Sequence, residues 1–414
     1  MDLYSFKLQN GLEVYIVPKK NVNNIYATLN VKYGSVDLNF KLNGKTINSK
    51  TGIAHFLEHK MFEQKNGEDP FQIFDKNGAM ANAMTSNYKT SYIFSGPTDF
   101  EENINLLLDF VLEPYFTDDN VEKEKGIIIQ EMKMYEDVPY RVGYNLCLKN
   151  SFVKHPIRIP TIGDFENVNS ITKENLYDCY NAFYNPNNMF LVITGNVDPK
   201  KTIEIIKKNQ ETKKVKNNKV ERIPVSEPDR VYKKKEIKYM NVSIPKVYFS
   251  YKVNISSIDM ERRIIEKYLA IYLYSLYGSV SDFKEEIEKE KISNTDVDIM
   301  ITKTDKHLLI TFIAETKKVN KMISKIKEYM GSDITQVEFN RKKKTLLSSN
   351  IYLTDNIFSI NNRIVNDVLE TGDAIVDIYN ENDNLKYEEL EKMLKQLKFK
   401  ETSTIIIKND KKKA

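Results

Sequence analysis

The sequence contains no tryptophan, four histidines and two cysteines in 414 residues. Two cysteines cannot form a disulfide framework, and Cys147 and Cys179 do not have the spacing of a metal site, which excludes a small disulfide-stabilised secreted domain. Both cysteines have apolar or aromatic neighbours in the sequence. We therefore predict two buried, structural thiols in a protein of a reducing compartment.

Long hydrophobic runs are also missing. No apolar stretch approaches the roughly 20 residues that a membrane helix needs. The first residues contain neither a basic-then-apolar secretory signal nor an Arg-rich transit peptide. We therefore expect a soluble, cytoplasmic protein that does not bind membranes.

An excess of charge of one sign is missing as well. The chain has 62 basic and 58 acidic residues, for a net charge of +4. Because Lys and Glu alternate through most segments and form no basic stripe, we expect no nucleic-acid partner. The apolar fraction of 41% and the length are sufficient for two or more domains, each with its own core.

The order of patterns along the chain indicates two such domains. Alternating apolar residues around Asn10-Gly11 predict a β-hairpin. Residues 207–238 are rich in Lys, Asn and Glu with little apolar periodicity, and we interpret them as a linker. This interpretation gives a first domain at 1–206 and a second domain at 239–414.

The two halves also end alike. Each ends with a loop, a short helix, a longer helix and an apolar strand, about 200 residues apart. This pattern predicts an internal duplication with two similar α/β domains in tandem. The second half contains His307 alone and no cluster of His and Glu, so we expect at most one site of the kind described next.

Two of the four histidines lie in the segment TGIAHFLEHKMFEQ, residues 51–64. On a helix, His55 and His59 lie on one face, and Glu58 flanks that face. Two neutral imidazoles at this spacing suit zinc, and a neighbouring carboxylate is placed to take a proton from water. The pattern therefore predicts a zinc centre with Glu58 as its base, in preference to two histidines that merely pack or are solvated.

A catalytic zinc normally takes three protein ligands, and a third histidine is not evident. His155 lies in a loop bounded by prolines, where we predict a surface or capping role. One predicted helix with an apolar centre offers four carboxylates, Glu122, Glu124, Glu131 and Glu136. Glu124 and Glu131 are two turns apart on one face, so that one could bind the metal while the other supports the site.

The order His-x-x-Glu-His inverts the His-Glu-x-x-His signature of zinc peptidases. With it, the chain resembles the pitrilysin/insulysin family (M16) of zinc metallopeptidases, and in particular short bacterial members similar to the catalytic subunit of the mitochondrial processing peptidase. The segments that carry the resemblance are LQNGLEVYIVP, GIAHFLEHKMF, GAMANAMTSNYKTSYIFSG, VEKEKGIIIQEM, HPIRIPTIGDFENVNSIT and YNPNNMFLVITGNVD. The resemblance implies an α+β fold of two tandem homologous domains, each a mostly antiparallel sheet with helices on one face, as in the LuxS/MPP-like metallohydrolases.

The resemblance also implies roles for particular residues. His55, His59 and Glu131 correspond to the Zn²⁺ ligands of the family. Glu58 corresponds to the base that activates water, and Glu124 to the acidic residue that supports the ligands. The implied function is zinc-dependent endopeptidase activity.

The segment ANAMTSNYKTSYIF corresponds to an edge strand along which the substrate adds as a further β-strand. Asn82 and Ala83 would lie nearest the scissile bond. Small residues at Ala81 and Ala83 would let another backbone approach. An ordinary sheet strand would have a similar sequence.

The chain departs from the family pattern in its second half. Self-sufficient members have an Arg and a Tyr there that bind substrate, whereas the corresponding stretch of this chain has Glu288 and Asn294 nearby. In two-subunit members a metal-free sister chain supplies that pair. We therefore expect a heterodimer with a metal-free homologous subunit, with a homodimer as the alternative.

The resemblance further implies a closed chamber and, as its substrates, short or unfolded peptides. Two alternatives remain at this point. One is a dedicated protease that matures a single peptide precursor, and the other is a non-proteolytic scaffold subunit.

Overall fold

The structure of the chain is a computed structural model that describes residues 2–211, 213 and 218–409. The described strands are β1 Tyr4–Lys7, β2 Glu13–Pro18, β3 Ile25–Val31, β4 Asn39–Leu42, β5 Lys45–Asn48, β6 Met80–Thr85, β7 Thr90–Gly96, β8 Met189–Gly195, β9 Val220–Arg222, β10 Lys235–Tyr239, β11 Lys246–Asn254, β12 Asp298–Lys303, β13 His307–Glu315 and β14 Glu401–Lys408. The described helices are α1 Ile53–Met61, α2 Pro70–Lys76, α3 Phe100–Phe110, α4 Asp118–Glu136, α5 Pro139–Ser151, α6 Phe165–Asn169, α7 Lys173–Phe183, α8 Pro199–Gln210, α9 Arg262–Tyr277, α10 Asp282–Lys289, α11 Val319–Tyr329, α12 Gln336–Leu353, α13 Ile357–Thr371, α14 Ile378–Asp383 and α15 Tyr387–Gln396. The fold is therefore a mixed α+β fold, as the sequence predicted.

The chain forms two compact units, each assembled from three separate stretches. Unit 1 comprises the chain up to Met132, Ile159–Pro224 and Ile351–Val376. Unit 2 comprises Lys133–Arg158, Val225–Asn350 and the chain from Asp377 onward. The units are thus discontinuous, whereas the prediction divided the chain once, at residues 207–238. The short strand β9 lies within that predicted linker, and β10 begins in it.

Unit 1 is built on a six-stranded sheet with the order β1-β2-β8-β3-β7-β6. All neighbours are antiparallel except the parallel pair β2 and β8. The predicted hairpin is confirmed, because β1 and β2 pair from Tyr4 with Ile16 to Lys7 with Glu13 around the Asn10-Gly11 turn. Strand β6 lies at the edge of this sheet, and none of the described strands pairs with its outer side.

Helices cover both faces of the unit 1 sheet. The helices α1 and α3 pack on one face, where the side chains of Tyr92 and Phe94 of β7 are buried in the apolar core. On the opposite face, α13 from the second half of the chain packs on β2, β3 and β8. The cluster there consists of Tyr15, Val17, Phe190, Val192, Ile360, Ile364, Val365 and Val368. Cover on both faces explains why every residue of β8 is buried.

Unit 2 repeats this arrangement with a five-stranded sheet of order β10-β14-β11-β13-β12. Its main core joins alternate residues of β11 to α9, α10, α11 and α15. On the other face lies α5, which comes from the first half of the chain. Gly143 permits this contact, because a Cβ atom there would lie 2.1 Å from the ring of Tyr248.

The repeated order of elements confirms the internal duplication. In the first half, the long helix α4 is followed by α5, α6, α7 and the central strand β8. In the second half, α12 is followed in the same order by α13, α14, α15 and β14. The two helices that cover the second face of the sheets, α5 and α13, occupy equivalent places in this order. Each unit therefore includes a helix from the other half of the chain, which local sequence patterns do not indicate.

The remaining sheet of unit 1 has three short strands in the order β5-β4-β9.

Among the described residues, no helix is both long enough and apolar enough to cross a membrane.

The contact of α13 with the unit 1 sheet includes a buried polar residue, Asn361, which provides a test. Its Oδ1 accepts a hydrogen bond from Thr28 Oγ1 at 2.8 Å, and its Nδ2 donates to Val192 O at 3.0 Å. Asn361→Leu removes these bonds and leaves buried polar groups without partners, which costs about 1–3 kcal/mol of unfolding free energy. Urea denaturation measures this loss. The matched variant Asn362→Leu, at an exposed position of the same helix, should change the unfolding free energy by less than about 0.5 kcal/mol. Equal effects of the two variants would contradict the packing described.

Candidate metal centre

The position of helix α1 is fixed at its first turn. Gly52, which precedes the helix, has φ 82°, a conformation that favours glycine. A Cβ atom on Gly52 would lie 2.4 Å from the carbonyl oxygen of Ile162. Only glycine fits this close approach without displacing the backbone of the loop that contains Ile162. The start of the helix that carries the two histidines is therefore held against a second loop of unit 1.

The sequence of α1 gives it two different faces. Phe56, Leu57 and Met61 are fully buried against the interior of unit 1. The side chains of His55 and His59 are 13% and 25% exposed, and their ring centroids lie 4.6 Å apart. Because positions four apart on a helix lie one above the other, both imidazoles point toward the same region. The predicted position of His55 and His59 on one face of a helix is therefore confirmed.

Glu131 on α4 meets the two imidazoles. Its Oε2 lies 3.7 Å from His55 Nε2 and 3.6 Å from His59 Nε2. One ligand atom from each of the three residues lies within 4.8 Å of the other two. Ligands about 2.0–2.2 Å from a zinc ion are separated from one another by distances of this order, and two imidazoles with one carboxylate are a common catalytic zinc set. The three side chains therefore fit a zinc ion.

Glu124 lies behind His59 on the side away from Glu131. His59 Nδ1 is 2.9 Å from Glu124 Oε1. Since a carboxylate accepts hydrogen bonds, this contact places the proton of His59 on Nδ1 and leaves Nε2 free to bind a metal. The other two predicted candidates on α4 do not join this group: Glu122 is 69% exposed and pairs with Lys125, and Glu136 is exposed.

Glu58 is buried beside the histidines, with 9% of its surface exposed. Thr85 of β6 donates a hydrogen bond from Oγ1 to Glu58 Oε2. Burial raises the pKa of Glu58 above its ordinary value, against the opposing effects of the Thr85 hydrogen bond and the charge of His59. Burial also lowers the pKa of His59, but the hydrogen bond and charge of Glu124 outweigh it, so that the pKa of His59 is raised. A buried carboxylate with a raised pKa is typical of a general base or acid.

The predicted substrate strand is β6, the edge strand of the unit 1 sheet. Asn82 is exposed and Ala83 is partly buried. The backbone N–H of Ala83 donates to Asn82 Oδ1 at 2.8 Å. Because Thr85 lies on the same strand, β6 connects the exposed sheet edge directly to Glu58.

The other histidines belong to unit 2 and take no part in this centre. His155 is buried, and its Nδ1 accepts a hydrogen bond from the N–H of Ile157 at 3.1 Å, which confirms the predicted capping role. His307 Nε2 lies 2.8 Å from Asp229 Oδ1. Cys147 and Cys179 are free, buried thiols, as predicted.

Two residues that contact the centre were missed from the sequence. Thr85 holds Glu58, and Lys60 lies on the buried side of α1 beside Glu124. The sequence feature that could have indicated Thr85 is the alternation of β6, which puts Thr85 on the same face as Ala81 and Ala83. The feature that could have indicated Lys60 is its charge, on a helix face that is otherwise apolar.

Comparisons with known proteins agree with this fold and site. Residues 23–164 match the family model Insulinase (Peptidase family M16), and residues 170–346 match the model Peptidase M16 inactive domain. The first match contains every residue of the candidate centre. Within the part of the second match that the structure describes, no further group of His, Cys, Asp and Glu could hold a metal ion. The two matches define a protein of the metallopeptidase class.

Related proteins support the same assignment. A Bacillus subtilis protein described as an uncharacterized zinc protease, YmfH, is 44% identical over 299 residues, which are 71% of this chain and 69% of that protein. The crystal structure of a putative M16-like peptidase from Alicyclobacillus acidocaldarius matches with a TM-score of 0.93 and 28% identity, covering 99% of this chain and 98% of that chain. A protease from Helicobacter pylori matches with a TM-score of 0.78 at 20% identity, covering 98% of this chain and 99% of that chain, which supports the fold. The chain therefore belongs to peptidase family M16.

The turn that follows Thr85, between β6 and β7, contains a buried lysine whose titration is testable. Lys89 is 8% exposed, and burial lowers the pKa of its ammonium from 10.5 to about 8. The unfolded chain therefore holds this proton to higher pH than the folded chain, and Lys89 makes the unfolding free energy rise between pH 8 and 10.5. We expect Lys89→Met to be more stable than the wild type by about 2–3 kcal/mol at pH 7, with the advantage shrinking across that window.

Urea denaturation at several pH values measures this difference. The exposed lysine Lys76 on α2 provides the control, because Lys76→Met should change the unfolding free energy by less than about 0.5 kcal/mol at each pH. A difference between Lys89→Met and the wild type that stays constant from pH 7 to 10.5 would show that Lys89 keeps its ordinary pKa.

Proposed function

We propose that the chain is a zinc-dependent endopeptidase in which His55, His59 and Glu131 hold the zinc ion. The observation that carries this proposal is the convergence of one ligand atom from each of these residues within 4.8 Å. The three come from two helices, and Glu124 orients one of the imidazoles. The zinc proteases among the relatives support the same metal.

A bound zinc ion would polarise the scissile carbonyl and lower the pKa of a water molecule at the site. Among the chain's own residues, Glu58 carries out the proton transfers. As a carboxylate it accepts a proton from the attacking water, and as a carboxylic acid it then delivers that proton to the leaving amine. Burial disfavours its charged form, so that it is a stronger base than an exposed carboxylate. The hydroxyl of Thr85 fixes the orientation of the carboxylate for both steps.

The two acidic residues of α4, Glu124 and Glu131, have different roles. Glu131 would supply a carboxylate oxygen to the ion, whereas Glu124 contacts His59 at Nδ1. A carboxylate hydrogen-bonded to a ligating imidazole fixes its tautomer and raises its basicity. The inverted His-x-x-Glu-His motif of α1 is thus completed by two acidic residues of α4.

The substrate would bind along β6. This strand is at the sheet edge, and an extended peptide can pair with its free backbone groups as a further strand. Asn82 and Ala83 are then the residues nearest the bond to be cleaved, and pairing requires the Ala83 N–H to leave Asn82 Oδ1 for the peptide. Recognition through backbone groups favours short or unfolded peptides, which can adopt an extended conformation within a closed chamber.

We further propose a metal-free homologous subunit as the partner. In the second half, the stretch with Glu288 and Asn294 lacks the Arg and Tyr that self-sufficient members use to bind substrate. Glu288 is half exposed and pairs with Lys284 at 3.0 Å. A partner chain that supplies the missing pair would complete the substrate site, and a second copy of this chain would not.

The proposed location is the cytoplasm. Both cysteines remain free and buried. Chains of oxidising compartments use their cysteines mainly in disulfides. A fractionation of the native cells tests this location directly.

The role of Glu58 is tested by Glu58→Gln. The amide keeps the size of the side chain but cannot take a proton from water, so kcat should fall by about 10²- to 10⁴-fold. The zinc content of the purified variant should equal that of the wild type, because Glu58 is not a ligand. Hydrolysis of quenched fluorescent peptides and metal analysis of the same sample measure the two quantities.

The control for this test is Glu122→Gln, which alters an exposed carboxylate of α4 and should leave both quantities unchanged. Retained hydrolysis in Glu58→Gln would contradict the role of base. A wild-type chain that is fully loaded with zinc but cleaves only after addition of a homologous subunit would support the heterodimer. Full activity of the chain as a homodimer would refute that part of the proposal.

A further inference from the structure

Lys60 is a buried cation beside a centre suited to a cation. It follows His59 directly, and its side chain is 1% exposed. Its Nζ pairs with Glu63, which lies just beyond the end of α1, and is 3.9 Å from Glu124 Oε2. Burying an ammonium group is costly unless it is paired, and a cation near a metal site adds repulsion. The position of Lys60 therefore depends on its two acidic neighbours.

Both carboxylate oxygens of Glu124 face a basic side chain. Oε1 lies 2.9 Å from His59 Nδ1, within hydrogen-bond distance, whereas Oε2 lies 3.9 Å from Lys60 Nζ, as an ion pair without a hydrogen bond. The charge of Lys60 favours the carboxylate orientation that keeps Oε2 toward the ammonium group and Oε1 toward His59. The Glu124 side chain is 13% exposed, so that few waters are available to replace Lys60. The contacts form one continuous chain from Glu63 through Lys60 and Glu124 to His59.

We infer that Lys60 is a positioning residue of the metal centre, which acts on the metal through the orientation of Glu124. By fixing the Glu124 carboxylate on His59 Nδ1, it keeps His59 Nε2 directed toward His55 and Glu131. The inference rests on the proposed zinc function. It adds a residue outside the His-x-x-Glu-His motif to the determinants of zinc affinity.

The test is the zinc dissociation constant, measured by competition with a chromophoric chelator. Removing a residue that orients a ligand typically weakens metal binding by 10- to 100-fold. We expect Lys60→Met to weaken zinc binding by about 10-fold or more, and Lys60→Arg, which keeps the charge, by less than about threefold. If Lys60→Met does not fold, Lys60→Gln provides the same comparison with a polar side chain.

A double-mutant cycle separates this role from a purely structural one. Because Lys60 acts through Glu124, adding Lys60→Met to Glu124→Gln should weaken zinc binding no further than Glu124→Gln alone. The matched control is Lys125→Met, which removes another buried lysine that pairs with a neighbouring glutamate and should leave the zinc dissociation constant unchanged.

Unchanged zinc affinity in Lys60→Met would overturn the inference, and so would losses that multiply in the double mutant. The thermal stability of the zinc-free variants, measured in parallel, shows whether the fold itself is altered. The same measurements distinguish failure of the inference from failure of the proposed function. A wild-type chain without measurable zinc binding would overturn both the proposed function and the role of Lys60. Zinc binding without peptide hydrolysis would overturn the proposed function alone.

Discussion

The centre depends on one requirement, that two helices remote in the sequence meet at the distance of metal ligands. His55 and His59 on α1 face Glu131 on α4 at 3.6–3.7 Å between ligand atoms. An error of 1 Å in either helix would remove this geometry. The close approach of Gly52 to the backbone of Ile162 fixes the start of α1, and the buried face of that helix fixes its rotation. The helix α1 also packs on β6 and β7 of the unit 1 sheet.

The polar groups around this meeting point are arranged in pairs. Thr85 holds Glu58, Glu124 holds His59, and Lys60 contacts Glu124. Each pair satisfies a group that would be costly to bury alone. In the proposed mechanism the same pairs determine the chemistry, because they decide which oxygen or nitrogen atom remains available to a metal, a water molecule or a substrate. Stability and function therefore place the same demands on these residues.

The sequence predicted the parts of the centre that lie within one helix. The spacing of His55, Glu58 and His59 implies a shared face by helical geometry alone. Spacing could not decide between Glu124 and Glu131, because two turns of one helix present both on the same side. The resemblance to peptidase family M16 distinguished them, and the structure places Glu131 at both imidazoles and Glu124 behind one of them. Lys60 was missed because its role arises only from contact with α4.

The fold shows the same division between local and long-range information. The hairpin at Asn10-Gly11 and the duplicated order of elements follow from local patterns. The cover of each sheet by a helix from the other half does not, because α5 and α13 have ordinary amphipathic sequences that do not specify which sheet they contact. The sequence showed only one consequence of this exchange, the apolar run from Met189 to Ile193 in the fully buried strand β8.

The most direct test of the account is the coordination of zinc by the purified chain, measured by X-ray absorption at the zinc edge together with the zinc content. The account predicts one zinc ion per chain with two imidazole nitrogens and a carboxylate oxygen as protein ligands, and no sulfur. It also predicts loss of that ion in His55→Ala, in His59→Ala and in Glu131→Ala. A chain that binds no zinc, or that keeps the same zinc signal in all three variants, would contradict it.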